Sequence, residues 1–460
     1  MAGREDAFAQ VLNSLRANRK RQETIMISRV TVKHSFFETL LLAVVVFASS
    51  TCLAQQLPTA SPESVGLSSE RLQRIAAAVD QSIKDQQIAG AVTMVVRHGK
   101  VAWLKPQGSL DREAGKAMPA DAMFRICSMT KPITSVAVMM LYEEGKFNLE
   151  DPISKYLPEF KNPKVLVKPG RGIAPYTVPA TREITIRDLL RHTSGLTYNW
   201  NEELGKMYDD ANVATGLLEY DGTIADNVKR LAAQPLLFNP GERWEYSLGV
   251  DVLGRLVEVI SGMPLDEFFR TRIFEPLGMK DTYFYVPQDK VNRLATAYGM
   301  FEDKLTRFPD KPVTDGFLTY DASYPVAGPK KLFSGGGGLV STAEDYARFC
   351  EMMLANGMAN GKRLLSPKSV ELMTHDQLGK IGPEQGFGLG FGIDGVKAPL
   401  DELGTPGEYG WGGFFYTQFR IDPKEQMIVI FMAQLHPAGD VNIQNRVMTL
   451  AYQAINASDQ

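Results

Sequence analysis

Cysteine and histidine are scarce in this chain. Three cysteines in 460 residues are too few for a disulfide scaffold, and loss of an N-terminal leader would leave only Cys127 and Cys350. The five histidines stand singly at His34, His98, His192, His375 and His436. None has the spacing of metal ligands, so no metal site is expected. A strong charge of one sign is also missing. A formal net charge of -3, with no basic cluster beyond the N-terminus, argues against a nucleic-acid binder. No apolar run reaches the roughly 20 residues of a membrane span. Internal repeats and low-complexity segments are absent. The Gly335–Gly338 run lacks the Gly-Lys-Ser/Thr of a phosphate-cradling loop and reads as a tight loop before a helix.

What is present is the composition of a soluble globular protein, 44% hydrophobic and 22% charged. The length fits two packed units or one large mixed domain. At the N-terminus, Arg29 and Lys33 precede an apolar run from Leu40 to Ala48, then small residues and Cys52-Leu53-Ala54. That order reads as a secretory signal cleaved after Ala54, which places the mature protein outside the cytoplasm, periplasmic or extracellular, with no membrane span left. An uncleaved anchor is the alternative. The polar stretch ahead of Met26 is long for a signal, which makes Met26 a candidate start.

Beyond the signal, Ser68-Ser69-Glu70-Arg71 opens a helical pattern through Val79. Ala89–Val96 and Val101–Leu104 then read as a hairpin about the Arg97–Lys100 turn. The far end repeats the theme: Gly413–Ile421 and Met427–Ala433 read as strands around Asp422-Pro423-Lys424-Glu425, with a closing helix near Val441–Ile455. Between the ends the signals are mainly helical. One helix is expected from about Ser128 to Glu144, burying Ile133, Val136, Ala137, Met140 and Leu141. A second carries Leu253, Leu256, Val257 and Ile260 and stops at Gly262. A third begins at a capping box, Ser341-Thr342-Ala343-Glu344, and buries Tyr346, Phe349, Cys350 and Met353. The expected architecture is therefore α/β, or more closely α+β. An antiparallel sheet is built from both chain ends (55–115 and 335–460), flanked by N- and C-terminal helices, with a mostly helical domain (116–334) inserted and the site at the seam.

Chemistry is carried by three elements in order. Ser128-Met129-Thr130-Lys131 puts a hydroxyl and an amine one helical turn apart on the same face. Trp244-Glu245-Tyr246-Ser247-Leu248 follows about 115 residues later, just before a helix. Tyr409-Gly410-Trp411-Gly412-Gly413-Phe414 enters a predicted strand. Together they resemble the serine β-lactamase and penicillin-binding-protein superfamily, with its Ser-x-x-Lys, Tyr-x-Asn and Lys-Thr-Gly elements. The nearer match is the class C β-lactamase-like esterases, family VIII carboxylesterases, which can carry Trp-Gly-Gly in third place. Leu190–Leu196, the Phe333–Val340 glycine stretch and the Pro240-Gly241 turn extend the resemblance over nearly all of the mature chain.

The resemblance implies a β-lactamase/transpeptidase-like fold, with Ser128 as acylated nucleophile and Lys131 and Tyr246 as acid/base partners. Which of the two takes the Ser128 proton stays open. It also implies that the backbone N–H groups of Ser128 and Phe414 hold the oxyanion, on the Trp411-Gly412-Gly413 strand. Two departures point toward neutral substrates. Leu248 stands where the pattern has asparagine, and Trp411 where it has the lysine that would grip a carboxylate. A charge-assisted contact is worth roughly 1.5–3 kcal/mol, so short-chain carboxylic esters are the expected small-molecule substrates and no cofactor is expected. A β-lactamase or D-amino-acid peptidase, an acyltransferase and a non-catalytic cell-wall-binding protein are the alternatives. Cys127 reads as a buried structural cysteine and His192 as a structural loop histidine. Tyr198, Trp200 and Phe415 either line the pocket or pack in the core. Oligomeric state is not legible.

Overall fold

The computed structural model describes residues 13–14, 17–22, 56–170 and 173–458. The leader read over 1–54 falls almost wholly outside them. Among the described residues, no helix is long and apolar enough to cross a membrane.

The two chain ends meet in one antiparallel sheet of eight strands. From the N-terminal side come β1 (Gly90–Arg97), β2 (Lys100–Asp111) and β3 (Lys116–Ala117). From the C-terminal side come β4 (Gly386–Phe387), β5 (Gly392–Ile393), β6 (Tyr409–Gly413), β7 (Thr417–Asp422) and β8 (Met427–Met432). Their order is β4-β5-β6-β7-β8-β1-β2-β3, so the ends join where β8 pairs with β1, Val92 opposite Met432. The β1–β2 turn is His98-Gly99, with φ of 51° and 71°. Two positive φ values in a two-residue loop match the right-handed twist of the strands it joins.

Every residue of β1 and β8 is buried, and alternation sends their side chains into two cores. Val92, Met94, Val96, Ile428, Ile430 and Met432 enter the larger one. Ala91, Val95, Met427, Val429 and Phe431 enter the smaller one, beneath helices α1 (Ser69–Lys84) and α5 (Ile443–Tyr452). The larger core contains α2 (Thr130–Glu143), α3 (Gly249–Ser261) and α4 (Ala343–Leu354). α2 is buried from Thr130 through Leu141, so it is an internal post rather than a surface helix. α3 ends at Gly262, φ 71°, where a left-handed cap favours glycine.

Three local readings change. Gly413–Ile421 is not one strand: Phe414, Phe415 and Tyr416 turn the chain between β6 and β7, and Tyr416 N–H donates to Gly413 O at 2.9 Å. Aromatic residues have high β propensity, which hides this turn. The cap of α4 sits one residue later than expected, with Thr342 Oγ1 accepting from Asp345 N–H at 3.1 Å. Ser341 is taken up by pairing with Phe124. Segment 116–334 also holds ribbons at Lys164–Val167 with Tyr176–Pro179, Tyr298–Phe301 with Lys304–Arg307, and Val313–Asp315 with Leu318–Tyr320. Strands of three or four residues are too short to display alternation.

Candidate active site

A short 3-10 turn, Cys127–Met129, leads directly into α2. Cys127 has φ 43°, and this left-handed residue redirects the chain so that Ser128 sits on the turn ahead of the helix. Two contacts fix the turn from behind. Tyr346 of α4 donates its hydroxyl to Met129 O at 2.9 Å, and Thr130 Oγ1 accepts from Leu339 N–H at 3.1 Å.

Lys131, 1% exposed, is held by three contacts. Its Nζ donates to Ser128 Oγ at 3.2 Å, to Tyr198 OH at 2.8 Å and to Gly336 O at 2.7 Å. An ammonium uses all three N–H groups in this way. A free amine in the same place keeps two donors for Tyr198 and Gly336 and turns its lone pair to the Ser128 hydroxyl. The geometry therefore suits proton transfer from Ser128 to Lys131.

Tyr246 lies just ahead of α3 and offers Lys131 its ring face, 4.6 Å from Nζ to centroid. Its hydroxyl accepts from Trp411 Nε1 at 3.2 Å, which ties it to β6. Thus Trp411 spends its one polar group inside the site. Leu248 is fully buried and serves as the N-cap residue of α3, so it presents no polar group there.

Glycines let the walls close. A Cβ on Gly413 would fall 2.5 Å from Ile126 O and 2.2 Å from Thr417 Oγ1, so the end of β6 presses against the turn that carries Ser128. A Cβ on Gly412 would meet only Thr417 O, at 3.4 Å. The result is an open cleft of 630 Å³ reached by Ser128, Trp200, Tyr246, Trp411, Gly412 and Phe414. Ser128, Tyr246 and the Trp411–Phe414 stretch thus converge on one cleft, with Lys131 buried beneath Ser128. Phe414 stacks on His436 at 3.7 Å between ring centroids.

The residues left open by the sequence separate cleanly. Tyr198 bonds Lys131, Trp200 stacks on Tyr198 at 4.1 Å and forms the rim at 41% exposure, and Phe415 is core. Burial, with Tyr246 and Asp251 nearby, pushes the Tyr198 phenol well above 10, so it stays neutral. His192 is fully buried, and its Nδ1 accepts from Ser247 N–H at 3.2 Å. That bond fixes the proton on Nε2, and burial next to Lys131 holds the imidazole well below its usual pKa. It braces the Tyr246-Ser247 backbone. Cys127 and Cys350 are free, and burial raises both thiols, which makes them unreactive. Tyr198 and Asp251 are the residues the motif reading undervalued. The signal for Asp251 was an acid in the otherwise apolar run Gly249–Gly254.

A serine and a lysine on one turn, beside β6 of an antiparallel sheet, fit the serine β-lactamase fold. The Beta-lactamase family model matches residues 75–453, and the chain belongs to that family, a serine hydrolase of the β-lactamase fold. Esterase EstB of Burkholderia gladioli is 34% identical over 370 residues, covering 78% of this chain and 89% of EstB. Protein Rv1367c of Mycobacterium tuberculosis is 37% identical over 367 residues, covering 76% of this chain and 86% of its own. Among solved structures, EstCE1, "a hydrolase with promiscuous acyltransferase activity", superposes with a TM-score of 0.71 at 28% identity, covering 84% of this chain and 99% of EstCE1.

Proposed function

We propose that the protein hydrolyses short-chain carboxylic esters through an acyl-enzyme on Ser128. The observation that carries this reading is the 3.2 Å contact of Lys131 Nζ with Ser128 Oγ at the floor of an open cleft. In the first half-reaction the Ser128 O–H bond breaks toward Lys131, Oγ bonds the ester carbon, and the alcohol leaves with a proton supplied through Lys131 and Tyr246. Water then attacks the acyl-enzyme by the reverse route. The N–H groups of Ser128 and Phe414 are the donors assigned to the oxyanion. Ester preference is supported by Trp411 and Leu248, neither of which offers a cation or amide to a carboxylate-bearing substrate, and by the likeness to EstB.

Turnover of p-nitrophenyl acetate or butyrate tests the proposal, with abolition expected in Ser128→Ala and losses of about 100-fold or more in Lys131→Ala and Tyr246→Phe. Unchanged turnover in Ser128→Ala would overturn it. Nitrocefin hydrolysed faster than the esters would reassign the substrate class to lactams.

A further inference from the structure

α3 carries a carboxyl that this reaction leaves unused. Asp251 stands in its first turn, five residues after Tyr246 and 1% exposed. Neither oxygen has a hydrogen-bond partner of good geometry among the described residues, although Ser334 and the N–H groups of Gly335 and Gly336 lie near enough to lower its pKa. Burial outweighs them and raises the carboxyl to about 6, leaving it ionised at neutral pH. A buried, poorly bonded carboxylate costs stability and persists where a function needs it.

The surroundings of Asp251 lead to Lys131. α2 and α3 pack together with Gly335 and Gly336 between them. A Cβ on Gly336 would fall 2.6 Å from Asp251 Oδ2 and 3.3 Å from Tyr198 OH, and Gly336 O accepts from Lys131 Nζ. The missing side chain lets carboxylate, phenol and ammonium crowd one point. The titratable groups gathered there are Lys131 of α2, Tyr198, Tyr246 and, before α2, Cys127. The Tyr198 phenol and Cys127 thiol are kept neutral by burial, so Lys131 is the cation that Asp251 faces.

We propose that Asp251 is the counter-charge of acyl transfer: its carboxylate stabilises the ammonium that Lys131 becomes on taking the Ser128 proton. The proposal rests on the esterase reading. Asp251 gives and takes no proton; the Ser128 O–H bond breaks, an N–H bond forms on Lys131, and Oγ bonds the substrate carbon. It is a positioning residue that acts through its field, as it touches neither Ser128 nor the cleft. The carboxylate's field favours the positive charge that forms as the Ser128 proton arrives, so removing the negative charge weakens proton uptake in the transition state.

Asp251→Asn removes the charge at nearly constant shape. Its kcat/KM for p-nitrophenyl butyrate, and the rate of Ser128 labelling by a fluorophosphonate, are followed from pH 5 to 10 beside the unsubstituted protein. The expected result is a plateau lowered about tenfold or more and loss of the acid limb that Asp251, with its carboxyl at about 6, gives the unsubstituted protein. A lowered plateau with the limb retained marks a merely structural role and overturns the proposal, as does an unchanged plateau. Absence of both ester turnover and labelling in the unsubstituted protein instead defeats the esterase reading. Melting temperatures at pH 8 then decide Asp251 separately. Asp251→Asn should raise the melting temperature more in Lys131→Met than in the parent, because the carboxylate there has lost its cation. A single variant too unstable to assay that folds again as the double variant reports the same coupling, and equal shifts in both backgrounds refute it.

Discussion

Tyr198 shows what one buried hydroxyl can be worth. It accepts from Lys131 Nζ at 2.8 Å, and its ring stacks on Trp200 and Tyr246. Tyr198→Phe keeps the stack and deletes the acceptor, so one N–H of Lys131 loses its partner in a site without solvent. A hydrogen bond to a charged group is worth about 1.5–3 kcal/mol, or roughly 10- to 100-fold in rate. The loss should fall on kcat, with KM nearly unchanged, because the hydroxyl lies behind the nucleophile. Steady-state kinetics on p-nitrophenyl butyrate check this, and an unchanged kcat would assign Tyr198 to packing alone. Spacing and order singled out Ser128, Lys131 and Tyr246, and the fold brings the three together. Tyr198 stood only as a pocket-or-core alternative, since a tyrosine between Thr197 and Asn199 carries no local sign of what its hydroxyl meets.

Among elements, helices and hairpins with strong local signals were read well. α3 stops at its glycine, α2 begins at the Ser-x-x-Lys, and the His98-Gly99 turn falls where a turn was expected. The β6–β7 turn and the short ribbons escaped, because they are fixed by tertiary contacts rather than by periodicity. The Gly335–Gly338 loop was recognised as tight without its reason. That reason is the space between α2 and α3, where a Cβ on Gly336 would run into Asp251 Oδ2 and one on Gly335 would fall 2.9 Å from Val250 O. Gly336→Ala forces a methyl group into that seam, at a cost of about 1–3 kcal/mol. Gly412→Ala meets only Thr417 O, so the fold should tolerate it while its methyl narrows the cleft. The expected contrast is a lowered melting temperature for Gly336→Ala, against an unchanged one with reduced kcat/KM for Gly412→Ala. Equal thermal effects of the two would contradict the crowding argument.

For the whole molecule, buried carboxyls set the response to pH. Burial raises Asp251 and Asp345 to about 6 and Glu351 and Glu408 to about 7. Each holds its proton more tightly folded than unfolded, so each contributes stability at acid pH that is lost as pH rises from the unfolded value through the folded one. Asp151, held near 2 by Tyr156 and Lys155, and Asp188, lowered by Arg182, work in the opposite sense and lose their contribution as pH falls below about 4. The two sets place the stability maximum near pH 4, with a decline toward pH 8. Glu351 isolates one part of that decline. Burial is the cause of its shift, its Oε1 has no hydrogen-bond partner among the described residues, and its Oε2 lies 3.6 Å from where a Cβ on Gly99 would sit, under the β1–β2 turn. Glu351→Gln removes the titration at constant shape. It should leave the melting temperature unchanged at pH 4 and raise it by a few degrees at pH 8, where ionisation of Glu351 costs on the order of 1–3 kcal/mol. Calorimetry across that range checks the sign, and an equal effect at both pH values would show that Glu351 is not the group that titrates. Asp251 and Glu351 both lower stability near neutral pH, but only Asp251 lies beside Lys131, the base of the proposed reaction. Asp251→Asn should cost activity, whereas Glu351→Gln should stabilise the fold and leave ester turnover intact.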